Sequence, residues 1–295
     1  MTENDVLVLK ALGDWDPPAD IHAARLSWED YAQRLNRDLP AIGALRENVD
    51  LGDGLQADIA VPAGAGPFPV VLYLHGGGWA FGSPRSFRKQ GMNFAAAGYV
   101  AVTLDFRLAP EHPFPAALDD VGQAIDWIGA NAASFSGDGN RIAIGGDSAG
   151  ANLALAAAMA ASPERRARLA ALLLFYGVYD LSAALERTHQ HPGLVLQVSS
   201  YIGAPNYPAA LSNPLVSPLP APMPGGLPPC LLLEGGADPI VGGEAAALAA
   251  ALDKAGVAHE LRIIDGMPHG FMQMFGLDAC AEGWRLTLDF LERQT

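Results

Sequence analysis

The sequence is poor in cysteine, in charged residues and in long apolar runs. Cys230 and Cys280 are the two cysteines, and they form no C-x-x-C pair, which favours buried free thiols over a disulfide. Charged residues make up 17% of the chain, a composition that does not suit a disordered protein. Charges or prolines interrupt the apolar segments, so a membrane-spanning helix is not expected.

Basic residues are scarce relative to acidic ones. There are 18 Lys and Arg against 32 Asp and Glu, which gives a net charge of -14. A surface of this charge repels nucleic acids and anionic membranes, so neither is expected as a partner. The stretch MTENDVLVLK lacks the charged region and the long apolar run of a signal peptide, which predicts a cytoplasmic protein.

The sequence does contain a repeated strand and helix pattern, within a length that suits one large domain. Runs rich in Val, Ile and Leu predict strands at 69–74, 98–104, 141–145, 169–176, 229–234 and 259–264. Because these runs are continuous rather than alternating, we expect a mostly parallel sheet that helices cover on both faces. A hairpin is predicted before the repeat, at 45–62.

Two segments do not fit this repeat. Residues 1–44 contain a Pro-broken lead and then IHAARLSWEDYAQRL, whose apolar spacing of three and four predicts an amphipathic helix. Residues 180–227 separate two predicted strands and contain many prolines. The second segment is longer than a crossover helix requires, so we expect an inserted substructure there.

The stretch Gly-Asp-Ser-Ala-Gly at 146–150 is the first candidate for chemistry. It follows a predicted strand and precedes the helix-forming NLALAAAMAA, which is the context of a nucleophile elbow. The two glycines would remove Cβ atoms where strand and helix crowd the turn. The motif alone is weak, and a phosphate loop or a plain turn is the alternative. Its context favours Ser148 as a nucleophile.

A serine hydroxyl needs a base and an orienting acid. Of the seven histidines, His269 lies in the loop DGMPHGFM, at the same end of the sheet as Ser148. Asp238 follows another strand in LLLEGGADPI and is the predicted acid, with Glu234 as the local alternative. The chain order of serine, aspartate and histidine is the one that α/β-hydrolases use.

The motif His-Gly-Gly-Gly follows the first strand of the repeat. Its N–H groups can approach a ligand closely because no side chains intervene, which favours an oxyanion site over a merely flexible turn. The predicted oxyanion donors are the N–H groups of Gly76, Gly77 and Ala149. Trp79 and Phe81 come directly after these glycines and are predicted to line the substrate pocket, with core packing as the alternative for Trp79.

Five stretches together resemble the hormone-sensitive-lipase-like family of esterases: HGGGWAFGS, DFRLAPEHPFPAALDD, GDSAGANLA, GGADPI and GMPHGFM. The resemblance implies an α/β-hydrolase core, with a mostly parallel eight-stranded sheet flanked by helices and covered by a helical cap. The cap of this family comes from the N-terminal segment and from an insertion after the sixth strand. These map onto residues 1–44 and 180–227, which leaves 45–179 and 228–295 as the catalytic core.

The resemblance implies a serine carboxylesterase that acts on a small-molecule ester through an acyl-enzyme. No metal or cofactor is expected, because no cluster of candidate ligands has metal-binding spacing. A bounded pocket predicts short to medium acyl chains. An amidase, formamidase or lactonase on the same triad is one alternative. A small-molecule receptor is another, although the receptors that resemble this family lack the catalytic histidine that His269 would supply here.

Some features depart from the family or stay open. Phe106 replaces a usual tyrosine, Ala151 replaces a usual glycine, and the loop DPIVGGE lacks the charges that often follow the acid. The aromatic residues of the cap segments are predicted to pack in the cap or to contact the ligand: Trp15, Trp28, Tyr31, Tyr201 and Tyr207. Strand 259–264 is the expected last strand, and its exposed edge predicts a homodimer.

Overall fold

One sheet of eight strands organises the protein, whose computed structural model describes residues 1–12, 18, 20–189, 192–203 and 209–295. The strands are β1 (Ala44–Asp50), β2 (Gln56–Val61), β3 (Phe68–Leu74), β4 (Val100–Asp105), β5 (Gly137–Asp147), β6 (Leu169–Phe175), β7 (Cys230–Gly235) and β8 (His259–Ile264). The helices are α1 (Glu3–Leu12), α2 (Ile21–Leu35), α3 (Arg88–Ala96), α4 (Ala116–Asn131), α5 (Ala149–Ala160), α6 (Pro163–Arg166), α7 (Leu181–Thr188), α8 (Pro192–Ile202), α9 (Glu244–Lys254) and α10 (Asp278–Gln294). Trp15 and Tyr207 lie outside the described residues.

The strand order is β1-β2-β4-β3-β5-β6-β7-β8. β2 pairs antiparallel with β1 and β4, and the other neighbours are parallel. The predicted fold class, a mostly parallel eight-stranded α/β sheet, is therefore confirmed. The predicted hairpin is β1 and β2, and the strand expected to be last, β8, lies at the edge of the sheet.

Burial explains why these apolar runs form strands. Every residue from Val70 to Leu74 in β3 is buried, as is every residue of β7. α5 is buried over most of its length, because its alanines let the backbone pack closely on the sheet. Both cysteines are free and buried, as the sequence predicted.

The two segments outside the repeat fold into helices, α1 and α2 in the first and α7 and α8 in the second. α2 spans the predicted 21–35 and buries the apolar face expected from its spacing, with Trp28, Tyr31 and Leu35 among its buried residues. Asp20 caps it by accepting the N–H of Ala23 at 2.7 Å. α2 packs against α8, and α8 packs against α7, so the N-terminal and inserted segments meet. No helix in the described ranges is long and apolar enough to cross a membrane.

Candidate active site

Ser148 stands at a strained turn between β5 and α5. Its φ is 53° and its ψ is -117°, a left-handed conformation that costs free energy for a residue with a side chain. A Cβ at Gly146 would lie 2.0 Å from the carbonyl oxygen of Leu74, and one at Gly150 would lie 1.9 Å from the same atom. Neither position can hold a side chain, so both glycines of the motif are required where β5 and α5 cross the end of β3.

His269 joins Ser148 to Asp238 by hydrogen bonds. Its Nε2 lies 2.8 Å from Ser148 Oγ, and its Nδ1 lies 2.6 Å from Asp238 Oδ2. Burial alone would lower the pKa of His269, but the Asp238 carboxylate outweighs it and holds the pKa above its ordinary value of 6.5. The structure thus brings together the three residues that the sequence predicted from separate strand ends.

The Asp238 carboxylate is held by backbone donors. Its Oδ1 accepts the N–H groups of Ile240 at 2.8 Å and Val241 at 3.3 Å. Burial would raise the pKa of Asp238, but His269 and these two N–H groups lower it below the ordinary value. The loop DPIVGGE lacks the charges usual after this acid, and these backbone contacts provide support in their place.

Glu234, the alternative acid, binds elsewhere. Its two carboxylate oxygens accept the N–H groups of Gly243 at 2.7 Å and Ala245 at 2.8 Å, at the start of α9. Burial raises the pKa of Glu234 above its ordinary value. The side chain that contacts His269 is Asp238, so the geometry favours Asp238 over Glu234 in the acid position.

Gly76 is the first glycine of the HGGG loop (residues 75–78), and its N–H is already hydrogen-bonded to a side chain of the elbow. The N–H of Gly76 donates to Asp147 Oδ1 at 3.0 Å, so it cannot also face an oxyanion. The prediction that Gly76 supplies an oxyanion donor is therefore wrong. Within the described ranges, no acceptor pairs with the N–H groups of Gly77, Gly78 or Ala149.

Asp147 is a site residue that the sequence reasoning missed. Its carboxylate accepts the Tyr73 hydroxyl at 2.8 Å and the Gln273 amide at 2.6 Å, besides the N–H of Gly76. Burial raises the pKa of Asp147 to about 6, although these donors oppose the rise. A charged residue between the two buried glycines of GDSAG was the signal available in the sequence. Asp147 connects the HGGG loop, the elbow and the segment after His269.

The ring of His75 anchors the start of the HGGG loop to the core. Its ring stacks on Phe106, with ring centroids 4.3 Å apart, and on Phe87 at 5.3 Å. Nδ1 lies 2.8 Å from the carbonyl oxygen of Gly76, so the tautomer with a proton on Nδ1 fits this contact. Burial lowers the pKa of His75 to about 4, which keeps the ring neutral. Phe106, a departure from the family, packs here as a flat surface for this ring.

A cavity of about 670 Å³ opens above Ser148 and His269. Both predicted pocket residues line it: Trp79, which is 3% exposed, and Phe81. Trp28 and Tyr31 of α2 also line it, whereas Tyr201 lies behind Trp79 and stacks on it with ring centroids 4.3 Å apart. The other lining residues are mostly apolar and include Leu9, Leu12, Leu35, Val178, Leu194, Val198, Ile240 and Met274.

One cation also lines this cavity and connects α7 to the acid loop. Arg187 donates through Nε to the carbonyl oxygen of Ile240 at 2.8 Å and forms an ion pair with Glu244. The other oxygen of Glu244 accepts the N–H of Asp180 at 2.8 Å. In the described part of the chain, no group of three or more His, Cys, Asp or Glu could hold a metal ion.

Known proteins match both the sequence and the structure. The family described as the α/β hydrolase fold matches residues 71–273. An AB hydrolase superfamily protein of Schizosaccharomyces pombe is 33% identical over 264 residues, which cover 82% of this chain and 74% of that relative. Ethyl acetate hydrolase of Pseudomonas putida is 32% identical over 240 residues, with 79% and 74% covered.

Solved structures agree with these matches. The structure of a bacterial heroin esterase is 27% identical and gives a TM-score of 0.88, covering 100% of this chain and 98% of that chain. The family match spans the HGGG loop, the elbow, the acid loop and His269. The chain therefore belongs to the hormone-sensitive-lipase-like family of α/β hydrolases.

Proposed function

We propose that this carboxylic-ester hydrolase works through an acyl-enzyme, with Ser148 as nucleophile, His269 as general base and Asp238 as orienting acid. The observation that carries the proposal is the hydrogen-bonded chain from Ser148 Oγ through His269 to Asp238, with distances of 2.8 and 2.6 Å. A serine hydroxyl becomes a strong nucleophile when such a base takes its proton.

The proposed reaction has two halves. In the first, Ser148 Oγ passes its proton to His269 Nε2 and attacks the ester carbonyl carbon, whose oxygen becomes an oxyanion. The tetrahedral intermediate then expels the alkoxide, which takes the proton from His269. In the second half, water gives a proton to His269 and its oxygen attacks the acyl carbon. Ser148 leaves with that proton, and a carboxylic acid is released.

The oxyanion donors in this proposal are the N–H groups of Gly77, Gly78 and Ala149. Gly77 and Gly78 come directly after Gly76, whose N–H is bound to Asp147. Ala149 follows the proposed nucleophile and is the first residue of α5. The start of a helix also favours negative charge. Each donor of this kind contributes about 3–4 kcal/mol to transition-state stabilisation.

The proposed substrates are esters with short to medium acyl chains. α1 and α2 from residues 1–44, and α7 and α8 from residues 180–227, supply many lining residues of the cavity, and we propose them as a cap. A cavity of about 670 Å³ offers apolar contact to a chain of limited length. Each methylene that is buried in such a pocket adds about 0.8 kcal/mol to binding.

The proposal includes a homodimer and a cytoplasmic location. β8 is an edge strand, and its Ile263 is 46% exposed, which suits pairing with a second copy. A mass of two chains by light scattering at micromolar concentration would support the dimer, and a monomeric mass would contradict it.

The proposed cytoplasmic location is supported by the two cysteines. Both are free and buried, which is compatible with a reducing compartment.

The proposed mechanism is tested by labelling with a phosphonate ester. Ser148 Oγ should displace the leaving group of the reagent from phosphorus and form a stable phosphonyl-enzyme, because the phosphoryl oxygen lies on the proposed oxyanion donors and water attacks the phosphorus only slowly. Peptide mass spectrometry should find the adduct on the peptide that contains residues 146–150. An adduct on another serine, together with loss of activity, would contradict the assignment of the nucleophile.

A further inference from the structure

Arg187 and Glu244 form an ion pair beside the loop that carries Asp238. Arg187 lies in the last turn of α7, and Glu244 is the first residue of α9. Glu244 is 4% exposed, and burial raises its pKa to about 7, although its hydrogen-bond partners oppose the rise. A buried ion pair is expensive to desolvate and adds little net stability, so its retention calls for an explanation.

The Glu244 carboxylate binds both ends of α7. One oxygen pairs with Arg187 in the last turn, and the other accepts the N–H groups of Tyr179 and Asp180 just before the helix begins. Asp180 is the N-cap of α7, where its side chain accepts the N–H of Ala183 at 3.0 Å. The place of α7 over the cavity is therefore tied to α9 through one carboxylate.

Arg187 also binds the backbone that holds Asp238. Its Nε donates to the carbonyl oxygen of Ile240 at 2.8 Å. That carbonyl and the N–H of Val241 belong to one planar peptide group, and the N–H donates to Asp238 Oδ1 at 3.3 Å. The N–H of Ile240 donates to the same oxygen at 2.8 Å. Arg187 thus fixes a peptide group whose other side binds Asp238.

The stem of Arg187 packs on the same loop. An added Cβ at Gly242, whose φ is 54°, would lie 3.1 Å from Arg187 Cδ. The arginine side chain therefore lies across the loop between Ile240 and Gly242 and ends at Glu244. A shift of this loop would move the Asp238 carboxylate, whose Oδ2 lies 2.6 Å from His269 Nδ1.

We propose that Arg187 and Glu244 are positioning residues, which hold the acid loop through the carbonyl of Ile240 and so keep Asp238 in contact with His269. This inference rests on the proposed function, in which Asp238 is the orienting acid. Loss of the pair lets the loop shift and lengthens the contact between Asp238 and His269. The imidazole is then less well oriented, and the carboxylate raises the pKa of His269 less.

The test measures kcat, KM and the pH midpoint of kcat/KM on 4-nitrophenyl butanoate, together with the melting temperature. Arg187→Met keeps the unbranched stem and removes every donor, whereas Arg187→Lys keeps a cation that can pair with Glu244. Arg165→Met is the matched control, because it breaks an ion pair with Asp126 that joins α6 to α4. Neither Arg165 nor Asp126 is among the residues that line the cavity.

Arg187→Met should lower kcat about tenfold and move the pH midpoint down by about half a pH unit. Arg187→Lys should show the same two changes at smaller size, and Arg165→Met should keep the wild-type kcat and midpoint. A wild-type midpoint in Arg187→Met would overturn the proposal. If that variant raised KM alone, Arg187 would bind the substrate directly, which would also overturn a positioning role.

The double variant Arg187→Met/Glu244→Gln separates positioning from stability. Arg187→Met leaves a buried carboxylate without its cation and should lower the melting temperature. The added Glu244→Gln removes that charge, so the melting temperature should recover, while kcat and the midpoint should stay as low as in Arg187→Met. Recovery of kcat and midpoint along with the melting temperature would overturn the proposal, because the pair would then only stabilise the fold.

Failure of the proposed function is a separate result. Wild type would then not hydrolyse 4-nitrophenyl butanoate through Ser148, or Asp238→Asn would keep the wild-type midpoint and rate. If wild type does use Ser148 and Asp238→Asn does lower the midpoint, an unchanged midpoint in Arg187→Met refutes the positioning pair alone.

Discussion

The N–H of Gly76 donates to the Asp147 carboxylate at 3.0 Å, and this contact fixes the HGGG loop to the nucleophile elbow. The same carboxylate binds Tyr73 at the end of β3 and Gln273 in the segment after His269. Three parts of the site thus depend on one buried acceptor. The contact also determines which glycines remain free to donate to an oxyanion, and it excludes the first.

Removal of the Asp147 carboxylate should damage both stability and turnover. Asp147→Ala leaves three buried donors without an acceptor, which costs about 3 kcal/mol or more and lowers the melting temperature by roughly 6 °C. Displacement of the HGGG loop should lower kcat by about 100-fold. Asp147→Asn should be milder, because it keeps one acceptor oxygen and the Gln273 amide can rotate to accept from the new amide. Equal effects of the two variants on melting and kcat would contradict this account.

Gly77 and Gly78 should respond differently to alanine. A Cβ at Gly77, whose φ is 118°, would lie 2.1 Å from the backbone oxygen of Phe81, so the loop must move and a proposed oxyanion donor is displaced. Gly77→Ala should therefore lower kcat/KM by about 100- to 1,000-fold. A Cβ at Gly78, whose φ is 56°, would lie 1.9 Å from Gln197 Oε1 and 2.9 Å from Gln197 Cβ, so it meets a side chain and not the backbone. The N–H of Gly78 is also a proposed oxyanion donor, but Gln197 can move aside, so Gly78→Ala should lower kcat/KM less than Gly77→Ala does. The check is kcat/KM on 4-nitrophenyl butanoate, and a smaller loss in Gly77→Ala than in Gly78→Ala would be the contrary outcome.

The pH dependence should follow the neutral form of His269. The proposed base, His269, must be unprotonated to accept a proton, and Asp238 holds the pKa of His269 above 6.5. We therefore expect kcat/KM to rise with pH through a midpoint above that value and then to level off. Asp238→Asn removes the charge that raises the pKa. The midpoint should move to lower pH while the plateau falls by about four orders of magnitude.

Glu234→Gln is the matched control for this change. Glu234 accepts the N–H groups at the start of α9 and does not contact His269. The variant should therefore lower the melting temperature but leave the plateau of kcat/KM close to the wild-type value. A wild-type plateau in Asp238→Asn would show that another group orients His269.

The length of the acyl chain should have an optimum. Each methylene that fits the cavity of about 670 Å³ adds about 0.8 kcal/mol, so kcat/KM should rise from acetyl to butanoyl or hexanoyl esters. Beyond octanoyl the chain must remain in water or displace the helices over the cavity, and kcat/KM should fall steeply. The measurement is a series of 4-nitrophenyl esters from acetyl to palmitoyl. Efficient hydrolysis of the palmitoyl ester would show that the cavity does not bound the chain.

The fold and the three residues of the hydrogen-bonded chain could be predicted because their signals are local. A buried parallel strand is a continuous apolar run, and a residue directly after such a strand must lie at the same edge as its counterparts. Ser148, Asp238 and His269 each follow a strand in this way. The choice between Asp238 and Glu234 rests on the fold as well as on the sequence, because it depends on where the start of α9 places its N–H groups.

The paired N–H of Gly76 and the place of Gln197 against Gly78 could not be predicted from the sequence, for the same physical reason. Whether the N–H of Gly76 is free depends on Asp147, which lies 71 positions away in the chain and reaches it only in the folded sheet. Gln197 lies in a Pro-rich insertion whose place over Gly78 is set by the packing of α8 and not by any periodicity. Long-range packing decides which polar groups are left unpaired, and the sequence pattern does not contain it.

The most direct measurement is the hydrolysis of 4-nitrophenyl butanoate by wild type and by Ser148→Ala, with rapid mixing and intact-protein mass spectrometry. Wild type should accumulate a species heavier by one butanoyl group if deacylation is slower than acylation, and Ser148→Ala should form none. Loss of a member of such a triad can remove about a million-fold of the acceleration, so turnover by Ser148→Ala should fall to background while its melting curve stays cooperative. If Ser148→Ala kept more than about a tenth of the wild-type kcat, the account would be contradicted.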